Sequence, residues 1–277
     1  MAIWAGLLAS MASGIIGAYV VIKRISFIAG SIAHSILGGM GFCLWLQRAH
    51  GITVCDPLFG AFASAIISAL LLGWVHLNYR EREDTVIAAI WSTGMAIGMI
   101  FLSLTPGNNV ELLNYLFGNI LFIETADLIR LGILNGFILI VVAFYYRKFL
   151  ALCFDEEQAL LQGVHVKKLY LLLLSLVAIS IVLLMQMIGI ILVIALLTIP
   201  ATLAGLFTNR LSVMMASAAV CCALFNVLGL GISFALNWPP GATIALVAAF
   251  CYLALLPIKK KKNSLRSAHR RIRLTKS

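Results

Sequence analysis

The sequence predicts an all-α membrane protein, a polytopic helical bundle of about nine transmembrane helices. Its residues are 62% hydrophobic and 11% charged, whereas a soluble domain is about half apolar and about a quarter charged. Apolar segments recur along the chain, each near the roughly 20 residues that a helix needs to cross the hydrocarbon core. Lipid is the solvent in which so apolar a surface is expected.

Nine segments have the length and hydropathy of a span. They are 2–22, 26–47, 57–77, 85–105, 128–146, 169–186, 188–207, 211–235 and 241–257. The apolar run 169–207 has 39 residues, too many for one crossing, and we divide it at residues 186–189. The first segment has no basic residue before its apolar run, so we expect it to be retained as a span rather than cleaved as a signal peptide. We predict a transmembrane domain over 1–257 and a basic cytoplasmic tail over 258–277.

The basic residues predict an orientation. If the N-terminus lies outside, 18 of the 20 Lys and Arg residues fall in inside segments, nine of them in the tail. The positive-inside rule then favours nine spans, with the N-terminus outside and the C-terminus inside. The net charge of +10 therefore indicates contact with anionic lipid, and we do not expect a nucleic-acid partner.

Two connecting segments are predicted to be more than linkers. Residues 112–123 (LLNYLFGNILFI) are apolar but too short to span, which indicates a re-entrant or interfacial helix on the outside. The inside segment 147–168 has an acidic start and a basic end around DEEQALLQG. That charge order complements the dipole of a helix, so we predict a short cytoplasmic helix there.

The sequence lacks several catalytic patterns. It has no GxxxxGK[ST], HExxH or GxSxG motif, which excludes ATP hydrolysis through a P-loop of its own and disfavours a metalloprotease of HExxH type. The six cysteines show no CxxC or zinc-finger spacing. Five of them fall within or beside apolar stretches, where we interpret them as small hydrophobic residues, and we infer no disulfide framework.

His34 is the most informative polar residue of the predicted spans. An ionisable group at such depth is costly and usually faces a cavity or a partner, and neutral imidazole is a common metal ligand. Positions 30, 34 and 38 share one stripe of the helix. The alternative is a histidine that hydrogen-bonds a neighbouring helix. Small and polar residues surround it on the same helix: Ser26, Gly30, Ser31, Ser35 and Gly38.

Other polar residues have simpler interpretations. Glu111, Glu124 and Asp127 flank the outside apolar segment, where they either attract a cation or a donor protein's basic residue or are simply solvated. Asn226 and Gln186 lie near bilayer depth, where an interhelical hydrogen bond is the expected use of an amide.

Four ordered motifs resemble those of the zinc, manganese and iron ABC-importer permeases. They are KRISFI with IAHS at 23–28 and 32–35, LNYLFGNILFIETAD at 113–127, DEEQALLQGV at 155–164, and GIILVIALLTIPATLA at 189–204. The resemblance runs from about residue 4 to 257.

This resemblance implies a permease subunit that moves Zn, Mn or Fe into the cytoplasm of a bacterium across its plasma membrane. The metal would be the substrate, with no permanently bound cofactor, and His34 would be its transient site. The implied partners are a second permease subunit, two cytoplasmic ATP-binding subunits and an extracytoplasmic metal-binding protein. The residues that would contact the ATP-binding subunits are Asp155, Glu156, Glu157, Ala159 and Gly163.

One position departs from the family pattern. Members typically carry Gly-Asp where this chain has Ala29 and Gly30, so the carboxylate one turn before His34 is absent. Three explanations stay open: the partner permease of a heterodimer supplies the acid, another residue replaces it, or the metal specificity differs. We favour the heterodimer. Two other functions stay open here: a permease for metal chelates of siderophore or vitamin type, and an ATP-independent secondary transporter.

Overall fold

The structure is a computed structural model that describes residues 1–52, 55–79, 83–106, 118, 124–208 and 210–256. Within these ranges the chain is helical and has no β-strand. The helices are α1 (Ala2–Ile22), α2 (Ser26–His50), α3 (Pro57–Asn78), α4 (Glu83–Leu104), α5 (Thr125–Phe154), α6 (Glu156–Leu161), α7 (Val166–Ile188), α8 (Ile190–Phe207), α9 (Leu211–Leu236) and α10 (Pro240–Leu256).

These helices confirm the all-α polytopic architecture. Eight helices of the described ranges are long and apolar enough to cross a membrane. A ninth, α10, falls at the short end of the usual length for a span. The predicted re-entrant segment 112–123, apart from Gly118, and the tail 258–277 lie outside the described residues.

Two helix boundaries can be compared with the boundaries predicted from the sequence. The apolar run 169–207 breaks at Gly189, whose φ of 79° is unfavourable for other residues, and this confirms the predicted division into two spans. The fifth helix instead continues to Phe154, eight residues beyond its predicted end. Arg147 and Lys148 end the apolar run but do not end the helix, because straight-chain cations are good helix formers.

The bundle centres on α1, α2 and α7, which contribute many of its buried residues. Helix α1 packs mainly against α9, α8 and α5, while α2 packs against α3 and α4. Near the end of α1, the buried ring of Tyr19 meets that of Phe149 edge-on at 5.3 Å. Helix α4 is mostly exposed, and α2 is its main neighbour.

Small residues allow α2 and α4 to touch along their backbones. A methyl group at Gly94 would lie 2.5 Å from the Cα of Ser35, and one at Gly98 would lie 2.7 Å from the carbonyl oxygen of Leu37. Both distances are shorter than a real contact, so neither position accepts a larger residue without separating the helices.

Two asparagine amides tie α1 to its neighbours. Nδ2 of Asn226 on α9 donates to the Gly6 carbonyl at 3.0 Å and to the Ser10 hydroxyl at 2.8 Å. Nδ2 of Asn135 on α5 donates to the Leu8 carbonyl at 3.0 Å. The interhelical hydrogen bond predicted for Asn226 is confirmed, whereas the buried Oε1 of Gln186 has no hydrogen-bond partner among the described residues.

A disulfide joins Cys43 near the end of α2 to Cys55 in the connection to α3. Interpreting these two residues as plain hydrophobic residues was therefore wrong. The chain reverses direction between them and brings their Cα atoms to 5.2 Å, a separation that a disulfide can bridge. We call this side of the bundle the disulfide end and the opposite side, where α6 lies, the α6 end.

Pro200 lies inside α8 and leaves one carbonyl without its helical partner. Proline has no N–H, so the Leu196 carbonyl four residues earlier loses its usual hydrogen bond. The thiol of Cys222 on α9 donates to that oxygen at 3.5 Å. A thiol is a weak donor, but at this position it satisfies a group that lipid cannot.

Candidate functional site

His34 lies about two turns into α2 from the α6 end, on the side that faces α4. Its half-buried imidazole stacks on the indole of Trp91, with ring centroids 4.3 Å apart and planes 11° from parallel. Nδ1 of His34 is buried and has no hydrogen-bond partner among the described residues. One nitrogen of the ring is thus chemically free but covered by protein.

Trp91 also covers the position where the family acid is missing. A Cβ atom at Gly30 would lie 3.9 Å from Cζ3 of Trp91, which is an ordinary contact. A methyl group at Gly30 therefore fits beside the His34–Trp91 pair. The indole Nε1 donates to Sδ of Met95 at 3.1 Å, so its own polar atom is already used.

The predicted stripe at positions 30, 34 and 38 faces α4 along its length. Trp91 lies against Gly30 and His34, and a methyl group at Gly38 would lie 3.0 Å from the carbonyl oxygen of Gly94. Ser31, one position further on, donates to the Ile87 carbonyl of α4 at 3.0 Å. Ser26 is half-buried near the start of α2.

Ser35 and Gly38 line an open groove of about 410 Å³ between α2, α3 and α4. Sequence reasoning did not select the hydroxyl groups that face them across this groove, those of Ser64, Ser68 and Thr93. Ser64 and Ser68 are four residues apart in an apolar helix, and this spacing could have indicated that they share one face. The structure thus adds neutral oxygen atoms beside the stripe of α2.

The short helix predicted in the segment 147–168 is confirmed as α6. Ala159 is fully buried and anchors α6, while Asp155, Glu156 and Glu157 are exposed. Gly163 ends the turn with a φ of 76°, in the left-handed region that favours glycine. Sequence reasoning missed the exposed leucines at the tip: Leu160 is 59% exposed and Leu161 is 89% exposed.

Lys23, which follows α1 directly, holds α6 in place. Its ammonium forms an ion pair with Glu156 and donates to the Leu152 carbonyl at 3.1 Å. It also lies 5.7 Å from the ring centroid of Tyr170. The Lys23 side chain is only 11% exposed, so these contacts replace most of its water.

Two of the three acids predicted on the donor side cap a helix. The Glu124 side chain and the Asp127 side chain accept reciprocal backbone hydrogen bonds at the start of α5. Asp127 also pairs with Arg130 at 3.2 Å. Glu111 lies outside the described residues. Asp127 is half-buried, and its position is explained by the capping contact and the pair with Arg130. Glu124 is exposed at the disulfide end.

No three His, Cys, Asp or Glu side chains of the described ranges gather closely enough to hold a metal ion. Besides the imidazole, the described residues that flank His34 on α2 offer neutral hydroxyl oxygens, those of Ser31 and Ser35. Such a set binds a divalent cation weakly, since it supplies no negative charge.

The sequence of this bundle identifies its family. Residues 1–259 match the ABC 3 transport family. The chain belongs to that family. This confirms the resemblance that the four motifs indicated, and it makes the protein a multi-pass membrane component of a bacterial ABC transporter.

Several known proteins are similar to this chain over most of its length. It is 46% identical over 256 residues to the "probable metal transport system membrane protein" of Chlamydia trachomatis, which covers 92% of this chain and 87% of that one. It is 31% identical to the manganese transport system membrane protein MntC of Halalkalibacterium halodurans, over 90% of this chain and 82% of the relative. Among solved structures, PsaBC from Streptococcus pneumoniae in complex with Fab superposes with a TM-score of 0.79 at 28% identity, over 91% of this chain and 88% of that one.

Proposed function

We propose that this chain is the membrane-spanning permease subunit of an ATP-driven importer for a divalent transition metal ion. The family match over residues 1–259 carries the proposal, together with relatives named for metal and manganese transport. The sequence contains no Walker A motif, so ATP hydrolysis belongs to two cytoplasmic partner subunits. A second permease subunit and an extracytoplasmic metal-binding protein complete the assembly.

In this proposal the α6 end faces the cytoplasm and the N-terminus lies outside. The charge distribution of the sequence supports this orientation. The disulfide supports it independently, because disulfides persist outside the cytoplasm and the bond between Cys43 and Cys55 lies at the other end of the bundle. The basic tail 258–277 then follows α10 on the cytoplasmic side as a separate segment beyond the transmembrane domain.

His34 is the residue that we assign to the transient metal site. The observation behind it is an imidazole with a buried, unpartnered Nδ1 in the membrane-spanning part of α2. Trp91 covers one face of the ring, and the groove beside Ser35 and Gly38 offers neutral oxygens for the path. Weak ligation suits transport, because an ion that is bound tightly is not released.

The contact with the ATP-binding subunits is assigned to α6 and its flanks. Asp155, Glu156 and Glu157 give this surface its charge, Ala159 anchors it and Gly163 ends it. The exposed Leu160 and Leu161 supply apolar area that water does not favour. On the opposite side, Glu124 at the disulfide end is assigned, with Glu111 and Asp127, to the surface that receives the metal-binding protein.

The test is metal uptake by a bacterial strain that lacks its own importers and expresses the complete transporter. We expect metal-dependent growth with the wild-type chain, and a loss of at least tenfold in uptake with His34→Ala. His50→Ala is the matched control, since it removes a histidine from the end of the same helix. If the wild type gives no ATP-dependent uptake, the proposed function is wrong; if His34→Ala transports normally, only the site assignment is wrong.

A further inference from the structure

A groove of about 500 Å³ lies at the α6 end, between α5, the connection from α6 to α7, and the first turns of α7. Its rim carries Lys148, His165 and Lys168, and its wall is built from Tyr145, Leu169 and Leu172. The proposed transport mechanism uses none of these side chains. Gly163, which belongs to the surface assigned to the ATP-binding subunits, also lines the groove. The groove therefore adjoins that surface and adds cations and an apolar wall to it.

The lining changes in the same direction on both helices. On α5, Lys148 is nearer the α6 end and Tyr145 lies one turn deeper; on α7, Lys168 precedes Leu169 and Leu172. The two helices run antiparallel. Both therefore carry cations at the α6 end of the span and apolar side chains one turn deeper in the bundle. This order matches a phospholipid, whose charged headgroup lies above its acyl chains.

The two lysines of the rim have no acidic partner among the described residues. Lys148 and Lys168 are exposed and form no ion pair with any described residue. The ammonium of Lys148 lies 5.4 Å from the ring centroid of Tyr145, which holds it above the wall of the groove. No acid lines the groove, and nearby Glu156 is paired with Lys23 instead. The groove thus has two positive charges to offer an anion.

We propose that this groove binds one anionic phospholipid of the cytoplasmic leaflet. The headgroup phosphate lies between Lys148 and Lys168, and one acyl chain lies against the half-buried Tyr145 and Leu172. Lysine side chains near a membrane surface attract anionic lipids, so two of them favour an anionic over a neutral headgroup. A free phosphate would use the rim alone and would leave the apolar wall uncovered.

The test is native mass spectrometry of the purified full-length chain in detergent. The probes are phosphatidylglycerol and phosphatidylcholine with identical acyl chains. We expect the wild type to retain one phosphatidylglycerol, and the double variant Lys148→Ala, Lys168→Ala to retain at least tenfold less. The matched control is Arg147→Ala, Lys167→Ala, which removes two cations at the adjacent positions that do not line the groove and is expected to behave as wild type.

Several results would overturn the proposal. Equal retention of phosphatidylcholine would remove the role of charge, and an equal loss in the control variant would show that only general basicity matters. Displacement of the lipid by millimolar inorganic phosphate would assign the rim to free phosphate. If the lysine variant keeps the lipid but no longer copurifies with the ATP-binding subunits when the complete transporter is expressed, the groove is a protein contact. If the double variant does not fold, the single variant Lys168→Gln is measured in the same assay. Unchanged retention of phosphatidylglycerol by that variant would overturn the proposal.

Discussion

Lys23 at the end of α1 forms an ion pair with Glu156 at the start of α6, 133 residues further along the chain. The same ammonium donates to the Leu152 carbonyl in the last turn of α5. Only Arg24 and Ile25 separate Lys23 from α2, which carries His34. The proposed ATPase surface and the helix of the proposed metal site are therefore connected by one side chain.

Reversing the charge of Lys23 is expected to destabilise the α6 end. Lys23→Glu places two acids together near the carbonyl end of α5, and the cost should be about 1–3 kcal/mol, between the values for exposed and buried pairs. Thermal unfolding in detergent and metal uptake should both fall. The double variant Lys23→Glu, Glu156→Lys should recover most of the uptake, whereas Lys167→Glu, at an exposed site, should change little. Failure of the double variant to recover would contradict a role for the pair.

Restoring an acid at Gly30 is expected to tighten metal binding. A Cβ atom at Gly30 meets Trp91 at an ordinary contact distance, and a carboxylate one turn before His34 adds a hard, charged ligand. We expect Gly30→Asp to bind a divalent metal at least tenfold more tightly than wild type in equilibrium dialysis of the purified chain. Gly30→Asn, which is neutral and of similar size, should not. Equal binding by the two variants would show that the acid does not reach the metal.

Filling the contact between α2 and α4 is expected to destabilise the bundle. Gly98→Ala places a methyl group against the Leu37 carbonyl, and overpacking of this kind costs about 1–3 kcal/mol. The unfolding temperature in detergent should fall accordingly. Gly136→Ala on α5 is the control, because its added methyl group would meet nothing within 4 Å. If both variants have the same unfolding temperature as the wild type, the close approach of α2 and α4 is not needed for stability.

Removing the exposed leucine of α6 is expected to weaken the ATP-binding subunits' attachment. Leu161 is 89% exposed in the isolated chain, and burying a leucine in an interface is worth about 1.5–3 kcal/mol. Leu161→Ala should therefore reduce retention of those subunits during purification by about tenfold or more, without changing the unfolding temperature of the permease. Gln162→Ala, the adjacent exposed position, should retain them. Normal retention by Leu161→Ala would exclude this side chain from the contact.

Hydropathy and local chemistry were enough to predict most of the fold. The spans follow from runs of apolar residues, and the division at Gly189 follows from the fact that one helix cannot be twice the thickness of the bilayer. The short helix α6 follows from an acidic start and good helix formers between polar segments. These features depend on neighbours along the chain, which a single sequence displays directly.

Contacts between distant segments were not predictable in the same way. Nothing near Cys43 specifies Cys55, and nothing near Lys23 specifies Glu156, because each pair forms only when the helices have packed. Trp91 is the clearest case at the candidate site. An aromatic residue in an apolar helix is usually ordinary packing or an interfacial anchor, and its stacking on His34 depends on how α2 and α4 are aligned.

The backbone contact between α2 and α4 has a consequence for motion. With Gly94 and Gly98 seated against α2, the two helices interlock too closely to slide past each other without steric clash. They are therefore expected to travel as one rigid body during any change of access, with His34 and Trp91 keeping their relative register. Alternation between the two sides of the membrane would then come from displacement of this helix pair against the rest of the bundle, and Trp91 would uncover His34 by a change of rotamer rather than by departure of α4.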